Sequence, residues 1–270
     1  MQIVSFNVAG LRAIIKKNDF TEFINTCIEN VDIICLQETK CTETEGEKVL
    51  TDNIKKTYPF RYWNSTKGTT QRKGLSGVSV WCTSQPISVI DNPDFDEEGR
   101  ILALEFENSI LINVYVPNSQ KFENDRYYFR ENWNVKFQDY INKLKTLYKK
   151  EIIICGDLNV AHLDIDINNP KAKKNKIPGF FDNERDAFGE LLSKCGLVDV
   201  FRNKNSDITK STYWSNFLKA ERTQKNGWGI DYFLMTNDLY NKGIVENIEI
   251  MMNVLGSDHC PLKLLLSNKI

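Results

Sequence analysis

The sequence predicts an α/β fold in which two β-sheets pack together with helices outside them. Three observations predict it. Apolar runs rich in Ile and Val recur along the chain, and several are continuous rather than alternating, as in strands covered on both faces. Helical patterns of apolar residues lie between some of these runs. The stretch 60–116 is strand-dense, while helical patterns dominate near 17–29, 123–148 and 183–195, a mixture that suits two packed sheets flanked by helices.

Taken in order, Ile3–Val8 reads as the first strand and Lys17–Glu29 as the first helix. Asp32–Gln37, Gly77–Trp81, Ile87–Ile90, Ile101–Phe106 and Ile110–Val116 follow as strands. The clearest helix runs from Glu123 to Tyr148, where Phe129, Trp133, Phe137, Tyr140, Ile141, Leu144 and Leu147 recur at spacings of three and four. Ile152–Cys155 is the next strand, and the polar, turn-rich stretch 163–182 reads as one long functional loop. A helix over Asn183–Cys195 and strands at Ile230–Met235 and Pro261–Leu265 complete the chain. No internal repeat, low-complexity tract or Pro/Gly/Ser linker marks a boundary. Single α/β domains of about 250 residues are common, so residues 1–270 are expected to form one domain.

Composition limits the partners. Lys and Arg total 35 against 36 acids, a net charge of −1, which excludes a bulk electrostatic binder of nucleic acid but not a local basic face. Charge is segregated. Residues 91–107 carry seven acids against Arg100 alone, and residues 171–176 carry four lysines and no acid. Each run taken singly reads as a solvated face, although their places beside strand ends suit a split basic surface. The seven cysteines contain no C-x-x-C pair, so a structural zinc site is not expected; they read as small buried apolar side chains in a reducing compartment. No secretory signal and no apolar run of about 20 residues is visible, so the expectation is a soluble intracellular protein. With two histidines, His162 and His259, a three-His metal cage is impossible.

The informative feature is a set of polar side chains ending apolar strands. Asn7 closes IVSFN, Gln37-Glu38 closes IICLQE, Tyr115 and Asn118 close LINVYVPN, and Asp157 and Asn159 close IIICGDLN. Asp231 opens DYFLM, and Asp258-His259 precedes CPLKLLL. Each alone reads as turn chemistry. Together they suggest loops converging on one site, as strand ends do in α/β folds. Asn, Asp and Glu with a single nearby His is hard-oxygen chemistry, suited to Mg²⁺ or Mn²⁺. Asp231 fits the orienting member of an Asp–His pair, leaving another acid to hold or deprotonate a water for in-line attack on phosphorus.

The strings NVAGLRA (7–13), LQETKC (36–41), KGLSGV (73–78), EGRILALEF (98–106), NVYVPN (113–118), CGDLNVAH (155–162), GWGIDYFL (227–234) and GSDHCP (256–261) resemble the exonuclease III / AP endonuclease family, in order and over essentially the whole chain. That family sits within the wider endonuclease–exonuclease–phosphatase group. The resemblance implies a four-layered α/β sandwich with two central mixed β-sheets, the DNase I-like fold. It implies Mg²⁺-dependent hydrolysis of DNA 5′ to abasic sites in base excision repair, with Mn²⁺ as a substitute, one or two ions, and side activities as 3′-phosphodiesterase, 3′-phosphatase and 3′→5′ exonuclease. The implied partner is double-stranded DNA carrying abasic sites or blocked 3′ ends. A monomer is expected, in the cytoplasm or nucleoid, or in the nucleus of a eukaryote, and no membrane is involved.

By the same resemblance, Glu38 is the principal metal ligand with Asn7 beside it, and Asp258 is a candidate ligand for a second ion. Asp157 matches the acid that activates water, Asn159 an amide that positions it, and both fall, with His259, in the metal environment. His259 matches a phosphate-binding histidine oriented by Asp231, Tyr115 a phenol near the phosphate, and Asn118 its polar neighbour. Tyr213 or Trp214, with Trp228 and Ile230, resemble an apolar wall for a flipped, baseless sugar. Arg12, Lys67, Arg72, Lys73 and the lysines of 171–176 are candidate backbone contacts. His162 is expected to be structural. Two residues depart from the family pattern: Ala9 stands where an Asp or Asn is usual, and Gly229 where many relatives carry Arg. The rivals share the fold: a hydrolase of another phosphoester, such as an inositide or sphingomyelin, a less lesion-specific DNase, and a non-catalytic DNA-binding relative.

Overall fold

A computed structural model of the chain describes residues 1–67, 74–215, 222–267 and 270. Strand β1 (Gln2–Asn7) shows how the layers arise. Ile3 faces a core shared by two sheets, while Val4 and Phe6 face helices on the other side. Because successive side chains point to opposite faces, a strand covered on both sides must be apolar throughout. That accounts for the continuous runs, and each fully buried Ile or Leu contributes roughly 1.5–3 kcal/mol.

The first sheet joins β1 to β2 (Ile33–Gln37), β3 (Phe60–Asn64), β4 (Val78–Cys82), β11 (Val245–Ile250) and β12 (Leu262–Leu266), in the order β11-β12-β1-β2-β4-β3. The second contains β5 (Ser88–Ile90), β6 (Ile101–Glu105), β7 (Ser109–Tyr115), β8 (Glu151–Asp157), β9 (Leu197–Asp199) and β10 (Asp231–Thr236), in the order β5-β6-β7-β8-β10-β9. Both are mixed, with β1 parallel to β2 and β7 parallel to β8. The inner core of Ile3, Cys35, Val80, Leu104, Ile153 and Phe233 lies between them. Helices α2 (Asn18–Asn30) and α4 (Asp52–Thr57) cover the first sheet with Phe20, Phe23 and Ile54. Helices α5 (Asp125–Tyr148) and α7 (Asp182–Cys195) cover the second with Trp133, Phe137, Ile141, Phe188 and Leu191. The result is the four-layered sandwich. Short helices α1 (Leu11–Ile14), α3 (Glu43–Val49), α6 (Pro170–Lys173), α8 (Val200–Lys204) and α9 (Asn237–Asn241) fill the connections.

Three departures from the sequence reading have physical causes. Strands β3, β9 and β11 are absent from it, and each closes an edge of its sheet. An edge strand is half-exposed or short, so β11, VENIEI, alternates with charge and lacks a continuous apolar run. The stretch 163–182 is not all loop: Asp164–Asp166 forms a 3₁₀ turn and Pro170 starts α6. The acidic run of 91–107 is only partly a solvated face. Buried Asp96 accepts from the backbone N–H groups of Arg100 and Ile101, and buried Glu98 pairs with Arg100 at 2.6 Å and Arg126 at 2.5 Å. All seven cysteines are buried and free.

One polar bridge crosses the inner core. Gln37 Nε2 donates to Asn113 Oδ1 at 2.7 Å and to Ser5 Oγ at 3.1 Å, and Asn113 Nδ2 donates to the Leu36 and Ser79 carbonyls. It ties the sheets together next to the strand ends that carry Asn7, Glu38 and Tyr115.

Candidate active site

Ladder register brings the polar strand ends into two rows. In the first sheet Asn7 sits opposite Gln37, and Glu38 follows in a left-handed turn with φ 52°. In the second, Tyr115 pairs with Asp157 and Asp157 with Asp231, so three functional side chains stand abreast. The loop 256–259 before β12 adds Asp258 and His259. These rows frame a cavity of about 720 Å³ lined by Glu38, Tyr115, Asn118, Asp157, Asn159, Asp258 and His259, together with Ile177, Pro178, Gly179, Tyr213, Trp228 and Ile230.

Hydrogen bonds fix the polar lining. Asn7 Nδ2 donates to Glu38 Oε1 at 3.1 Å and to Asp157 Oδ2 at 2.9 Å, joining the two sheets' acids through one amide. Asn159 turns left-handed at φ 50°, and its backbone N–H donates to Asp157 Oδ1 at 2.8 Å. Its side-chain Nδ2 donates to the Val116 carbonyl, and its Oδ1 accepts from Asn118. The amides of Asn7 and Asn159 therefore brace carboxylates and loops. His259 Nδ1 donates to Asp231 Oδ2 at 2.9 Å, and its Nε2 lies 3.7 Å from Asp157 Oδ2. The Tyr115 hydroxyl and the Lys40 ammonium both hydrogen-bond to Glu38, Lys40 at 2.8 Å.

These contacts set the charges. Burial alone would raise the Glu38 carboxyl, but Lys40, Tyr115 and Asn7 outweigh it and hold it below the usual carboxylate range. Burial pushes Asp157 up to about 7, against the pull of His259, with Asp231 and Glu38 adding to the rise. Burial would lower His259, yet Asp231 and Asp157 raise it to about 10. At neutral pH the imidazole is thus a cation beside a carboxyl poised to exchange its proton. Strongly shifted groups in one cleft mark a functional site.

The chain matches the Endonuclease/Exonuclease/phosphatase family over residues 4–259. It belongs to that family. Among curated relatives, the Bacillus subtilis exodeoxyribonuclease is 39% identical over 99% of this chain and 100% of its own, and the Danio rerio DNA repair nuclease APEX1 is 38% identical over 99% of this chain and 82% of its own. The Leishmania major AP endonuclease structure aligns with TM-score 0.83 at 26% identity over 99% of this chain and 88% of its own. An Archaeoglobus fulgidus AP endonuclease matches the fold with TM-score 0.83, at 23% identity over 99% of this chain and 100% of its own. The protein is a DNA repair nuclease of the exonuclease III / AP endonuclease branch.

The nuclease gathers Tyr213, Trp228 and Ile230 at its cavity and turns Trp214 away, so of the two alternatives the sequence offered it is Tyr213 that lines the cavity. Trp214 is 6% exposed; its Nε1 donates to the Thr223 carbonyl and Asn226, and Arg222 stacks on its ring at 5.0 Å. Adjacent residues in extended chain face opposite ways, so Tyr213 and Trp214 cannot both line one wall. Arg12 stays on the surface, paired with Glu45 at 3.1 Å, and Lys67 is exposed. Arg72 and Lys73 lie outside the described residues. Of the lysines, Lys173 places its ammonium 5.0 Å from the centre of the Trp228 ring, Lys174 pairs with Asp182 at 3.2 Å, and Lys171 and Lys176 are exposed. His162 packs on Phe188 at 4.8 Å, away from the cavity lining. Gly229 leaves room for the fully buried Lys210, whose Cε would stand 3.0 Å from a Cβ there.

Two residues not named as site candidates from the sequence complete the nuclease's site: Thr212, which lies in none of the quoted strings, and Ser257, which lies in GSDHCP. Thr212 Oγ1 donates to Asp231 Oδ2 at 2.6 Å while accepting the backbone N–H of Asp231 at 3.1 Å, which orients the carboxylate toward His259. Ser257 Oγ donates to the Asn7 carbonyl at 2.7 Å and accepts from the His259 backbone N–H at 3.3 Å. The donor set fits a hard divalent cation: Glu38, Asp157 and Asp258 are carboxylates, and Glu38 already faces a positive charge on Lys40. Asp157, Asp231 and His259 also bring ligand atoms within 4.8 Å of one another, but Asp231 Oδ2 is already hydrogen-bonded to Thr212 and His259.

Proposed function

We propose that this nuclease hydrolyses duplex DNA 5′ to abasic sites in base excision repair, leaving a 3′-hydroxyl and a 5′-deoxyribose phosphate. The supporting observation is one cavity in which a carboxylate–imidazole cluster adjoins an apolar wall of Tyr213, Trp228 and Ile230. A sugar lacking its base is cheap to unstack, and an apolar wall suits the face of a flipped, baseless sugar. Trimming of blocked 3′ ends and 3′→5′ exonuclease action are further readings of the same chemistry. The whole chain acts as one catalytic domain, as an intracellular monomer.

The residue roles follow from charge and geometry. Cationic His259, held by Asp231 and Thr212, hydrogen-bonds a non-bridging phosphate oxygen and neutralises charge there. Asp157, raised to about 7, accepts the proton of the attacking water, with Asn7 and the Asn159 backbone fixing its two oxygens. Tyr115 stays protonated, because burial and Glu38 raise it well above the ordinary phenol range, and its single hydroxyl proton turns from Glu38 to the phosphate or leaving oxygen when substrate is bound. Glu38, with Asn7 beside it and Asp258 as a second carboxylate, would hold Mg²⁺ or Mn²⁺; the bound ion supplies neutralisation of phosphate charge.

A duplex with a single abasic analogue, incubated with Mg²⁺ or EDTA, tests the reading. Metal-dependent cleavage at the lesion is the expected result. Cleavage indifferent to the lesion would replace it with a less selective nuclease, and binding without cleavage would replace it with a non-catalytic DNA binder.

A further inference from the structure

The geometry points to Arg130 as a positioning residue for phosphodiester hydrolysis, acting with Glu184 to lock three cavity-lining segments in one arrangement. This deepens the proposed reaction and rests on it. Arg130 projects from α5 with a side chain only 3% exposed. Its Nη1 donates to the Pro117 carbonyl at 2.5 Å and the Asn159 carbonyl at 3.4 Å, its Nη2 to the Leu158 carbonyl at 2.9 Å, and its Nε to Asn134 at 3.0 Å. Pro117 lies between Tyr115 and Asn118, and Leu158 and Asn159 directly follow Asp157. Glu184, 3.9 Å from Nη1, accepts from Ser119 Oγ at 2.6 Å and from the backbone N–H groups of Gly179 at 2.7 Å and Phe181 at 3.1 Å.

One buried ion pair therefore joins the segments 115–119, 157–159 and 177–181. The β7–β8 pairing carries one residue further, where the Val116 N–H donates to the Asp157 carbonyl at 2.9 Å, and the amides of Asn118 and Asn159 link the same two segments. Ala161 N–H donates to the Gly179 carbonyl at 2.9 Å, and the ion pair is the contact that reaches all three segments at once. The arrangement bears on Asp157 through Asn159. Asn adopts a left-handed φ more readily than most residues, so neighbouring contacts rather than backbone strain set how this turn is aimed. Arg130 holds the carbonyls of both Leu158 and Asn159, and that turn aims the Asn159 N–H at Asp157 Oδ1. Burying a guanidinium is costly, and apolar side chains of similar volume often stabilise as well. A planar fork that meets several carbonyls at fixed angles is something neither an apolar side chain nor a lysine reproduces.

Arg130→Lys and Arg130→Ala test this, with Ile141→Ala on the same helix as a destabilised control. Each is assayed on the abasic duplex and on an intact duplex with a recessed 3′ end. For Arg130→Lys, kcat should fall on the order of 100-fold with KM within about threefold, the scale of a displacement near 1 Å. Millimolar guanidinium should restore about tenfold to Arg130→Ala and nothing to Ile141→Ala. The proposal is overturned if Arg130→Lys keeps kcat within about threefold, or if Ile141→Ala loses as much kcat at an equal loss of Tm. Should Arg130→Lys fail to fold, Glu184→Gln decides: about tenfold lower kcat at constant KM supports the clamp, and unchanged kcat rejects it. Wild type inert on the abasic duplex would reject the proposed specificity, while the Arg130 effect would still be read on the intact one.

Discussion

The carboxylate–imidazole lining of the cavity rises mainly from strand ends, whereas the aromatic lining is carried by loops, and the two are held differently. Asn7, Tyr115, Asp157 and Asp231 are terminal residues of β1, β7, β8 and β10, so ladder register fixes their backbones. Hydrogen bonds then fix the side chains, with Asp157 accepting at both oxygens and Asp231 holding both Thr212 and His259. Tyr213 and Trp228 meet through isolated bridges and ring contacts: Tyr213 with Trp228 at 6.0 Å and with His259 at 4.9 Å. Contacts of this kind can rearrange without disturbing a ladder. Changes to the first lining should therefore cost rate, and changes to the second should cost discrimination.

The largest effect is expected from Asp157→Asn. Removal of a general base lowers kcat by 10²–10⁴, and Asp157 is also braced beside Glu38, so a loss on the order of 10³ or more is expected. Stability should move the other way. Burial raises the Asp157 carboxyl to about 7, so at pH 8 the fold holds a carboxylate that it would rather keep protonated. Tm of Asp157→Asn at pH 8, measured without metal, should equal or exceed that of wild type. A loss of both rate and Tm would mean that Asp157 supports the fold more than the reaction.

Asp231→Asn comes next and carries a pH signature. In wild type His259 stays cationic up to about pH 10. Its raised value contributes stability that is fully present below an ordinary imidazole pKa near 6.5 and is lost as pH rises through about 10. Without the Asp231 charge the imidazole should lose its proton at lower pH. The ratio of variant to wild-type kcat should then fall between pH 6 and 9, by about tenfold or more at the upper end, and the slope of Tm over pH 7–10 should flatten. A wild-type rate across pH 6–9 would sink the pairing.

The same contrast decides what was legible in the sequence. A side chain at the end of an apolar run is visible as a break in pattern, so Asn7, Glu38, Asp157, Asp231 and His259 can be picked out before any coordinates. Thr212 and Arg130 carry no such mark. Each acts through contacts with residues far along the chain, Thr212 with Asp231 and Arg130 with Pro117, Leu158 and Asn159, and nothing local to S-T-Y or F-R-E signals them. The choice between Tyr213 and Trp214 was illegible for a related reason. Short isolated bridges have no long alternation from which to read a facing direction. Edge strands β3 and β11 went unread because half-exposed strands mix polar residues into the apolar pattern.

The smallest effect on rate, and the sharpest test of the aromatic lining, is expected from Trp228→Ala. The ring of Trp228 lies between Tyr213 and the Lys173 ammonium, 5.0 Å from the ring centre, and close to Gly179, whose Cβ would stand 3.8 Å from it. It makes no hydrogen bond to a carboxylate or to His259 among the described residues, so Asp157 and His259 should keep their geometry when it is removed. Truncation widens the cavity just where an intact base would have to be excluded. The kcat on an abasic duplex should stay within about threefold, while preference over intact DNA should drop about tenfold, the scale of one altered apolar contact in a pocket. Unchanged selectivity would take Trp228 out of the wall. An equal loss on both substrates would be more damaging, since it would show that the loop-borne lining takes part in the chemistry and that the two linings do not divide the work between rate and recognition.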